Sequence, residues 1–371
     1  MGFSQPTLEK LGMKQFSDAY RGKRVLITGH TGFKGSWLSI WLLELGADVI
    51  GVSLPISNNQ NHWNLLDLRL DDRRLDIRDI DALKQTIEET KPEIVFHFAA
   101  QSLVRKSYLA PLETWSTNLL GTANVLECCR LQPTVESIVV ITSDKCYENN
   151  EWIWGYREID RLGGHDPYSA SKAAAELVVA SYRSSFFNQE HTPLIATARA
   201  GNVIGGGDWS EDRLIPDLVR AIENRRSLEI RSPNATRPWQ HVLESLSGYL
   251  LLGQKLLSGD KAFADAWNFG PEPEGNRTVS EVLGKLNKYW ASMEWHIAEK
   301  SYLHEANLLY LDSAKARSKL GWKPVWGLDL TLEKTAQWYR AWLVNQDVMS
   351  KKQLTDYIDA ASNAKIEWAV S

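Results

Sequence analysis

Short apolar segments alternate with amphipathic helical patterns along the first half of the chain, and this alternation constrains the fold more than any other feature. Between the first two segments, Trp37, Trp41 and Leu45 share one helical stripe. The apolar segments have the length and composition of buried parallel strands; they are Val25 to Thr28, Val49 to Val52, Ile94 to Phe98, Ile138 to Thr142 and Leu194 to Ala198. The sequence therefore predicts an α/β fold with a doubly wound parallel sheet covered by helices on both faces.

The pattern changes after about residue 200. Loops rich in Gly, Asp, Pro and Arg separate helices predicted at Leu214 to Glu223 and Val279 to Trp290, which is typical of a smaller mixed C-terminal lobe. Trp239 to Leu252 is apolar enough to return to the sheet. We therefore predict a cofactor domain and a substrate lobe, with the domain formed by residues 1–200 and a returning segment of about 239–265, and the lobe by residues 201–238 and 266–371.

Length, charge and cysteine content exclude several classes of protein. The 371 residues carry a net charge of −4, which provides no basic surface for nucleic acid. No apolar run is long enough to span a membrane, and residues 1–20 contain no apolar stretch of signal-peptide length. Three cysteines, with Cys128 and Cys129 adjacent, do not form a disulfide framework. We expect a cytoplasmic protein without a metal site that binds neither nucleic acid nor membranes.

A glycine-rich turn, Gly29-His30-Thr31-Gly32-Phe33-Lys34-Gly35, directly follows the first predicted strand. Glycines permit a tight turn and let backbone N–H groups approach a pyrophosphate at the start of the next helix. The context predicts a Rossmann-type dinucleotide site formed by Gly29, Thr31, Gly32, Phe33, Lys34 and Gly35; the alternative is an ordinary strand-to-helix turn. Lys34 is expected either to contact a phosphate or to face solvent.

The segments that follow extend this cofactor site. The second strand ends in Val52-Ser53-Leu54-Pro55, without the acid that would select an NAD ribose or an arginine for a ribose phosphate, so this position does not choose between NAD and NADP. Asp76 and Ile77 are expected to contact adenine, unless Asp76 is a helix N-cap. Phe98-Ala99-Ala100 would let the cofactor lie close to the backbone, whereas His97 is interpreted as a core histidine.

Two segments carry the groups that chemistry needs, Thr142-Ser143-Asp144-Lys145 and Tyr168-Ser169-Ala170-Ser171-Lys172. A phenol with a pKa of about 10 is a poor base, and the Lys172 ammonium four residues later would stabilise the Tyr168 phenolate. An acid and an amine beside an oxidised carbon can expel water. We predict that Asp144 is a protonated acid and Lys145 the base; the alternative for this pair is a surface ion pair.

These motifs, in this order and over nearly the whole chain, resemble the extended short-chain dehydrogenase/reductase family that acts on nucleotide sugars. The resemblance implies NAD as the cofactor and a lobe that binds the nucleotide sugar. It also implies that Ser143, Tyr168 and Lys172 form the hydride-transfer triad, with Ser143 bonding the sugar hydroxyl. The implied substrate-binding residues are Gln101, Ser102, Asn202 and Arg237, the last two at the diphosphate. Leu228 to Arg231 would line the base pocket, and the role of Arg199 stays open between ligand and structure.

Within this family, an Asp after the triad Ser or Thr distinguishes 4,6-dehydratases from epimerases. A Lys rather than a Glu at the next position, together with Gly205-Gly206-Gly207-Asp208-Trp209, resembles the branch that acts on CDP-glucose. The resemblance implies CDP-glucose as the substrate, CDP-4-keto-6-deoxyglucose as the product and a place in deoxysugar and lipopolysaccharide O-antigen precursor synthesis. The alternatives are a 4-epimerase, a dehydratase for another nucleotide, or a cofactor-sensing regulatory protein without catalysis.

Members of this family usually pair through a four-helix bundle. The resemblance therefore implies a homodimer, with helices predicted at Asn118 to Cys129 and Ala170 to Phe186 as the elements that would form the interface.

Overall fold

The strands of the protein form one central sheet and several small ones. The computed structural model describes residues 14–56, 60–290, 293–298 and 307–370, so residues 1–13 of the predicted cofactor domain lie outside the described residues. Within those limits the strands are β1 Arg24–Thr28, β2 Asp48–Ser53, β3 Asp71–Arg74, β4 Ile94–His97, β5 Ser137–Ile141, β6 Leu194–Ala200, β7 Val203–Ile204, β8 Leu228–Ile230, β9 Thr236–Pro238, β10 Gln240–His241, β11 Ala266–Phe269, β12 Asn276–Thr278 and β13 Trp295–Ile297.

The central sheet has seven strands in the order β11-β6-β5-β4-β1-β2-β3, and all its neighbouring strands run parallel. The chain moves outward from β1 through β2 to β3 and then returns to place β4 on the other side of β1. A crevice opens at the carboxyl ends of strands where the direction of winding reverses, and ligands of such sheets bind there. The predicted doubly wound parallel sheet is confirmed.

Helices cover both faces of this sheet and also pack on the small sheets. They are α1 Phe33–Glu44, α2 His62–Leu66, α3 Ile80–Thr90, α4 Val104–Leu109, α5 Pro111–Trp115, α6 Gly121–Arg130, α7 Pro167–Ser185, α8 Leu214–Glu223, α9 Val242–Leu257, α10 Val279–Leu286, α11 Leu328–Asn345, α12 Ser350–Asn363 and α13 Glu367–Val370. Alternate residues of β1 point to opposite faces. Val25 and Ile27 pack in the core formed with α1, α9 and α11, whereas Leu26 packs with α3, α6 and α7.

The sequence analysis assigned no residue range to two strands of the central sheet, β3 and β11, although Asp76 was expected to follow a strand. The residues of β3 are Asp71-Asp72-Arg73-Arg74 and are mostly exposed, because β3 lies at an edge of the sheet where backbone pairing with β2 replaces apolar burial. At the opposite edge, β11 contains the buried Asn268, which interrupts its apolar pattern. Its side chain bonds to the Tyr156 and Asp312 carbonyls.

Two of the small sheets lie within the residues predicted to form the second lobe, and they pair β9 with β12 and β8 with β13. A third pairs β7 of that predicted lobe with β10 of the predicted returning segment. Within the predicted returning segment, α9 packs against β5 and β6, and β11 follows it into the central sheet. The division of the chain into two lobes stays a prediction.

No helix in the described part of the chain is both long enough and apolar enough to cross a bilayer.

Candidate active site

A cavity of about 1320 Å³ opens at the carboxyl edge of the central sheet. Its walls come from the turn after β1, the segments that follow β2 to β6, the start of α7, and the loops and strands of the second lobe. Every residue predicted to bind or react lines it, namely Gly29, Thr31, Gly32, Phe33, Lys34, Gly35, Asp76, Ile77, Phe98, Ala99, Ala100, Gln101, Ser102, Ser143, Asp144, Lys145, Tyr168, Lys172, Asn202 and Arg237. The structure therefore brings both chemical segments and the glycine turn into one space.

The glycine turn is tight enough to require its glycines at two positions. Gly29 has a φ of +78°, a conformation that residues with a side chain rarely adopt, and a Cβ there would lie 2.7 Å from the Ala99 nitrogen. A Cβ on Gly35 would lie 2.2 Å from the Gly29 carbonyl oxygen. These close distances show that the first turn of α1 packs directly on the turn after β1. The N-terminal residues of α1 also line the cavity.

Lys34 has a partner inside the cavity wall. Its Nζ donates to the Tyr249 hydroxyl at 3.1 Å and lies over the same ring, 5.5 Å from the centroid. Burial, assisted by the charge of Arg213, lowers the pKa of Lys34 to about 7. The expectation that Lys34 simply faces solvent is therefore wrong. Tyr249 lies in the segment predicted to return to the sheet, but apolar patterning gave no signal for this polar contact.

The structure decides the roles left open for Asp76, which follows β3, and for His97, the last residue of β4. Asp76 pairs with Arg78, and the N-cap of α3 is Asp79, so the N-cap alternative for Asp76 is wrong. His97 is buried between the hydroxyls of Thr28 at 2.6 Å and Thr122 at 3.0 Å, as its interpretation as a core histidine requires.

Ser143, Asp144 and Lys145 form a compact turn at the end of β5. The Ser143 hydroxyl donates to Asp144 Oδ1 at 3.0 Å and accepts the backbone N–H of Lys145 at 3.2 Å. Asp144 is 2% exposed, and its Oδ2 has no hydrogen-bond partner among the described residues. It faces Gly201, where a Cβ would lie 2.9 Å away. The surface-ion-pair alternative is therefore wrong for Asp144.

The surroundings of Asp144 shift its carboxyl group toward the protonated form. Burial raises its pKa, and the opposing charge of Lys145, the hydrogen bond from Ser143 and the charges of Arg237 and Lys34 only partly offset that rise. A neutral carboxylic acid in this position can donate a proton to a substrate oxygen.

Tyr168 and Lys172 project from the first turns of α7. The helix begins beside Asp166, whose side chain accepts the Ser169 N–H at 2.9 Å. Burial raises the pKa of Tyr168 to about 12, against the lowering effect of a hydrogen bond with Ser143. Burial likewise lowers the pKa of Lys172 to about 8, although the Glu176 carboxylate opposes this. The Lys172 ammonium donates to the Ile141 carbonyl at 3.2 Å, which ties α7 to the end of β5.

The predicted substrate residues Gln101, Ser102, Asn202 and Arg237 line the same cavity. Asn202 follows β6, and Arg237 lies on β9, where its Nη1 donates to the Thr236 carbonyl at 3.0 Å. The side-chain amide of Gln101 bonds to Thr114 and to the backbone of Leu103, so it also shapes the loop in which it lies.

The sequence analysis missed several polar residues of this region. Arg213 lines the cavity and pairs with Asp208 at 3.0 Å. Asp208 belongs to the glycine-rich motif Gly205 to Trp209. Asp212 lies between Arg105 and Arg231, at 2.8 and 3.1 Å. Arg105 and Asp212 are 107 residues apart along the chain, and a pairing across that separation leaves no local sequence pattern.

The sheet order, the glycine turn and the Tyr-Lys helix define the class of Rossmann-fold dehydrogenases and reductases. More narrowly, the chain belongs to the GDP-mannose 4,6 dehydratase family, whose model matches residues 26–335. The family resemblance inferred from the motifs is confirmed.

Individual relatives agree with this assignment. The chain is 47% identical over 352 residues to the CDP-glucose 4,6-dehydratase of Salmonella typhimurium, covering 92% of this chain and 98% of the relative. Among solved structures, the dTDP-glucose 4,6-dehydratase of Streptomyces venezuelae with NAD bound superposes with a TM-score of 0.73 at 26% identity, covering 85% of this chain and 97% of that one. An epimerase from Methanothermobacter thermautotrophicus gives a TM-score of 0.79 at 27% identity over 90% and 97% of the two chains.

Proposed function

We propose that this protein is an NAD-dependent 4,6-dehydratase that converts CDP-glucose to CDP-4-keto-6-deoxyglucose. The main support for this proposal is the 47% identity to a CDP-glucose 4,6-dehydratase, over 98% of the length of that relative. The turn Ser143-Asp144-Lys145, which distinguishes this branch in the sequence, lines the same cavity as Tyr168 and Lys172. The product would enter deoxysugar and lipopolysaccharide O-antigen precursor synthesis.

The glycine turn supports NAD as the cofactor. The positions where a Cβ would strike the backbone, Gly29 and Gly35, form a cradle that fits a pyrophosphate at the N-terminus of α1. NAD bound there supplies the acceptor for the hydride that leaves carbon 4 and the donor for its return to carbon 6. Asp76, Ile77 and the segment Phe98 to Ala100 complete the predicted cofactor wall.

Oxidation at carbon 4 is assigned to Tyr168 and its neighbours. The Tyr168 phenolate removes the proton of the carbon 4 hydroxyl, and Ser143 bonds that hydroxyl and orients it. The Lys172 ammonium stabilises the phenolate electrostatically, since an opposite charge within about 4 to 6 Å favours the ionised form.

Loss of water is assigned to Asp144 and Lys145. The ketone at carbon 4 acidifies the proton on carbon 5, and Lys145 is assigned as the base that removes this proton. Asp144 gives its proton to the carbon 6 hydroxyl, which leaves as water while the double bond between carbons 5 and 6 forms. When hydride returns to carbon 6, the protonated Lys145 gives a proton back to carbon 5, which completes the 4-keto-6-deoxy product. Asn202 and Arg237 hold the diphosphate, for which a guanidinium offers two parallel N–H donors, and Leu228 to Arg231 face the nucleotide base.

One incubation series tests substrate, cofactor and reaction together. CDP-, dTDP-, UDP- and GDP-glucose are each supplied with NAD or NADP, and the 4-keto-6-deoxy product is followed by its absorbance in base. We expect turnover of CDP-glucose with NAD. A product that keeps its carbon 6 hydroxyl would indicate a 4-epimerase instead, and cofactor binding without turnover of any hexose would indicate a regulatory protein.

The base assignment has its own test in Lys145→Met. In deuterated water the wild-type protein introduces deuterium at carbon 5, and we expect the variant to lose this incorporation while it still binds NAD. The matched control Lys352→Met changes a lysine outside the cavity that forms a surface pair with Asp356. Undiminished incorporation in Lys145→Met would rule out Lys145 as the base.

We further propose that the protein is a homodimer, on the basis of an apolar surface on the predicted helices. Leu120, just before α6, and Leu177, on α7, are 58% and 60% exposed. Replacing both by lysine is expected to produce a monomer in light scattering, whereas Val344→Lys, at an exposed position on α11, leaves the mass unchanged. A monomeric wild-type protein would contradict the proposal.

The cytoplasm is the proposed location. The cysteines Cys128, Cys129 and Cys146 are free and buried, as expected of a protein in a reducing compartment.

A further inference from the structure

Glu176 lies one helical turn beyond Lys172 on α7 and is 3% exposed. Its Oε1 accepts from the Thr142 hydroxyl at 2.5 Å and from Arg199 Nε at 2.9 Å. Its Oε2 accepts from the Thr197 hydroxyl at 2.8 Å and from Arg199 Nη2 at 2.7 Å. One carboxylate therefore joins α7, the end of β5 and the middle of β6.

This carboxylate keeps its charge although it is buried. Burial acts to raise the pKa of Glu176, but the charge and hydrogen bonds of Arg199 hold the pKa below its usual value. The guanidinium is itself anchored, because Arg199 Nη1 donates to the Tyr147 hydroxyl at 2.7 Å and to the Glu158 carbonyl at 3.2 Å. A fully hydrogen-bonded network of this kind holds its members in one arrangement.

The attachment lies next to the proposed reacting groups. Thr142 directly precedes Ser143 and Asp144. The carbonyl of Ile141, the residue before Thr142, accepts from the Lys172 ammonium. The end of β5 is thus tied to α7 at two successive residues, by Lys172 and by Glu176. Thr197 makes an equivalent bond to the same carboxylate from β6, but it does not adjoin a reacting residue.

We infer that Glu176 is a positioning residue, whose bond to Thr142 sets the turn Ser143-Asp144-Lys145 against the helix that carries Tyr168. This inference rests on the proposed function for the roles of those residues. The simpler possibility is that Glu176 and Arg199 form a buried ion pair that only stabilises the fold. Substituting the two threonines distinguishes these possibilities. The hydroxyls of Thr142 and Thr197 both bond to Glu176 and contribute to stability. Only Thr142 adjoins the proposed reacting groups.

The experiment compares Thr142→Val with Thr197→Val. Valine keeps the branched shape of threonine and removes only the hydroxyl, whereas Glu176→Gln would leave the Arg199 charge buried without its counterion. Because a misplacement of about 1 Å can cost about 100-fold, we expect Thr142→Val to lower kcat by about 10- to 100-fold with KM nearly unchanged. The kinetic isotope effect with substrate deuterated at carbon 4 should increase. Thr197→Val should lose similar thermal stability and keep kcat.

A readout without substrate separates this inference from the proposed function. Amide hydrogen exchange in residues 142–146 should be faster in Thr142→Val and unchanged in Thr197→Val. Unchanged exchange in both variants, or kcat losses in both that follow their losses of stability, would overturn the positioning role. If the exchange difference is present but the wild-type protein does not turn over CDP-glucose, the proposed function fails and the positioning of the turn stands.

Discussion

Replacing Asp144 by Asn tests whether this carboxyl group is protonated in the folded protein. One of its oxygens accepts from Ser143 at 3.0 Å, and the other is buried without a partner among the described residues. Asn has nearly the shape of a neutral carboxylic acid, so the substitution removes the titrating proton and preserves the packing. Any difference that depends on pH therefore reports the ionisation of Asp144.

The sign of that difference follows from the raised pKa of Asp144. The folded protein binds this proton more tightly than the unfolded chain, so it loses stability as the pH rises from the unfolded pKa of about 3.9 through the raised folded pKa. The Asn variant has no such loss. Each unit by which the pKa is raised is worth about 1.4 kcal/mol, and leaving a buried polar oxygen unsatisfied costs about 1 to 3 kcal/mol.

We therefore expect the free energy of unfolding of Asp144→Asn, relative to wild type, to increase between about pH 4 and about pH 8, by about 1.4 kcal/mol for each unit by which the pKa of Asp144 is raised. Denaturant titrations at both pH values measure it, and kcat should fall by about 100- to 10,000-fold because the acid is lost. A difference that does not change with pH, or that decreases, would refute the argument.

Asp212→Asn is the matched control with the opposite sign. Although burial opposes it, hydrogen bonds from Arg105 and Arg231 hold the pKa of Asp212 below its usual value. This carboxylate contributes stability above its unfolded pKa that is lost as the pH falls. Its Asn variant should therefore become less stable relative to wild type as the pH rises.

Three further variants test the cofactor, oxidation and substrate assignments. Gly35→Ala should abolish NAD binding in a fluorescence titration, because its Cβ would lie 2.2 Å from the Gly29 oxygen. In Gly32→Ala the Cβ would lie 3.3 Å from the same oxygen, so NAD binding should weaken far less. Equal effects of the two variants would contradict this account of the turn. Tyr168→Phe should lower kcat by about 100- to 10,000-fold at an unchanged Kd for NAD, and an active variant would exclude the phenol as the base. Arg237→Lys should raise KM about tenfold with kcat nearly unchanged, whereas a fall in kcat alone would argue against diphosphate anchoring.

Local patterns predicted the parts of the fold that depend on local physics. The strand that becomes β1 and the glycine turn after it were read correctly because apolar runs and turn glycines act within a few residues. The same holds for α8, predicted at Leu214 to Glu223 and observed there. The helix predicted at Val279 to Trp290 ends earlier, at Leu286. The bounds of the charged strand β3 could not be predicted from apolar patterning, because its mostly exposed residues pair with β2 and do not bury apolar side chains.

By itself, the sequence determined the fold class, the family and the residues that gather at the carboxyl edge of the sheet. Parallel strands bring their following segments to one edge, so Ser143 and Tyr168 could be placed together from strand order. The tertiary structure decided which of these groups are buried and what each one faces. Burial that no local pattern reveals raises the pKa of Asp144, and Lys34 bonds to Tyr249, 215 residues away. The four bonds to Glu176 likewise join three elements. Burial and pairing set protonation, and both arise only when distant segments pack together.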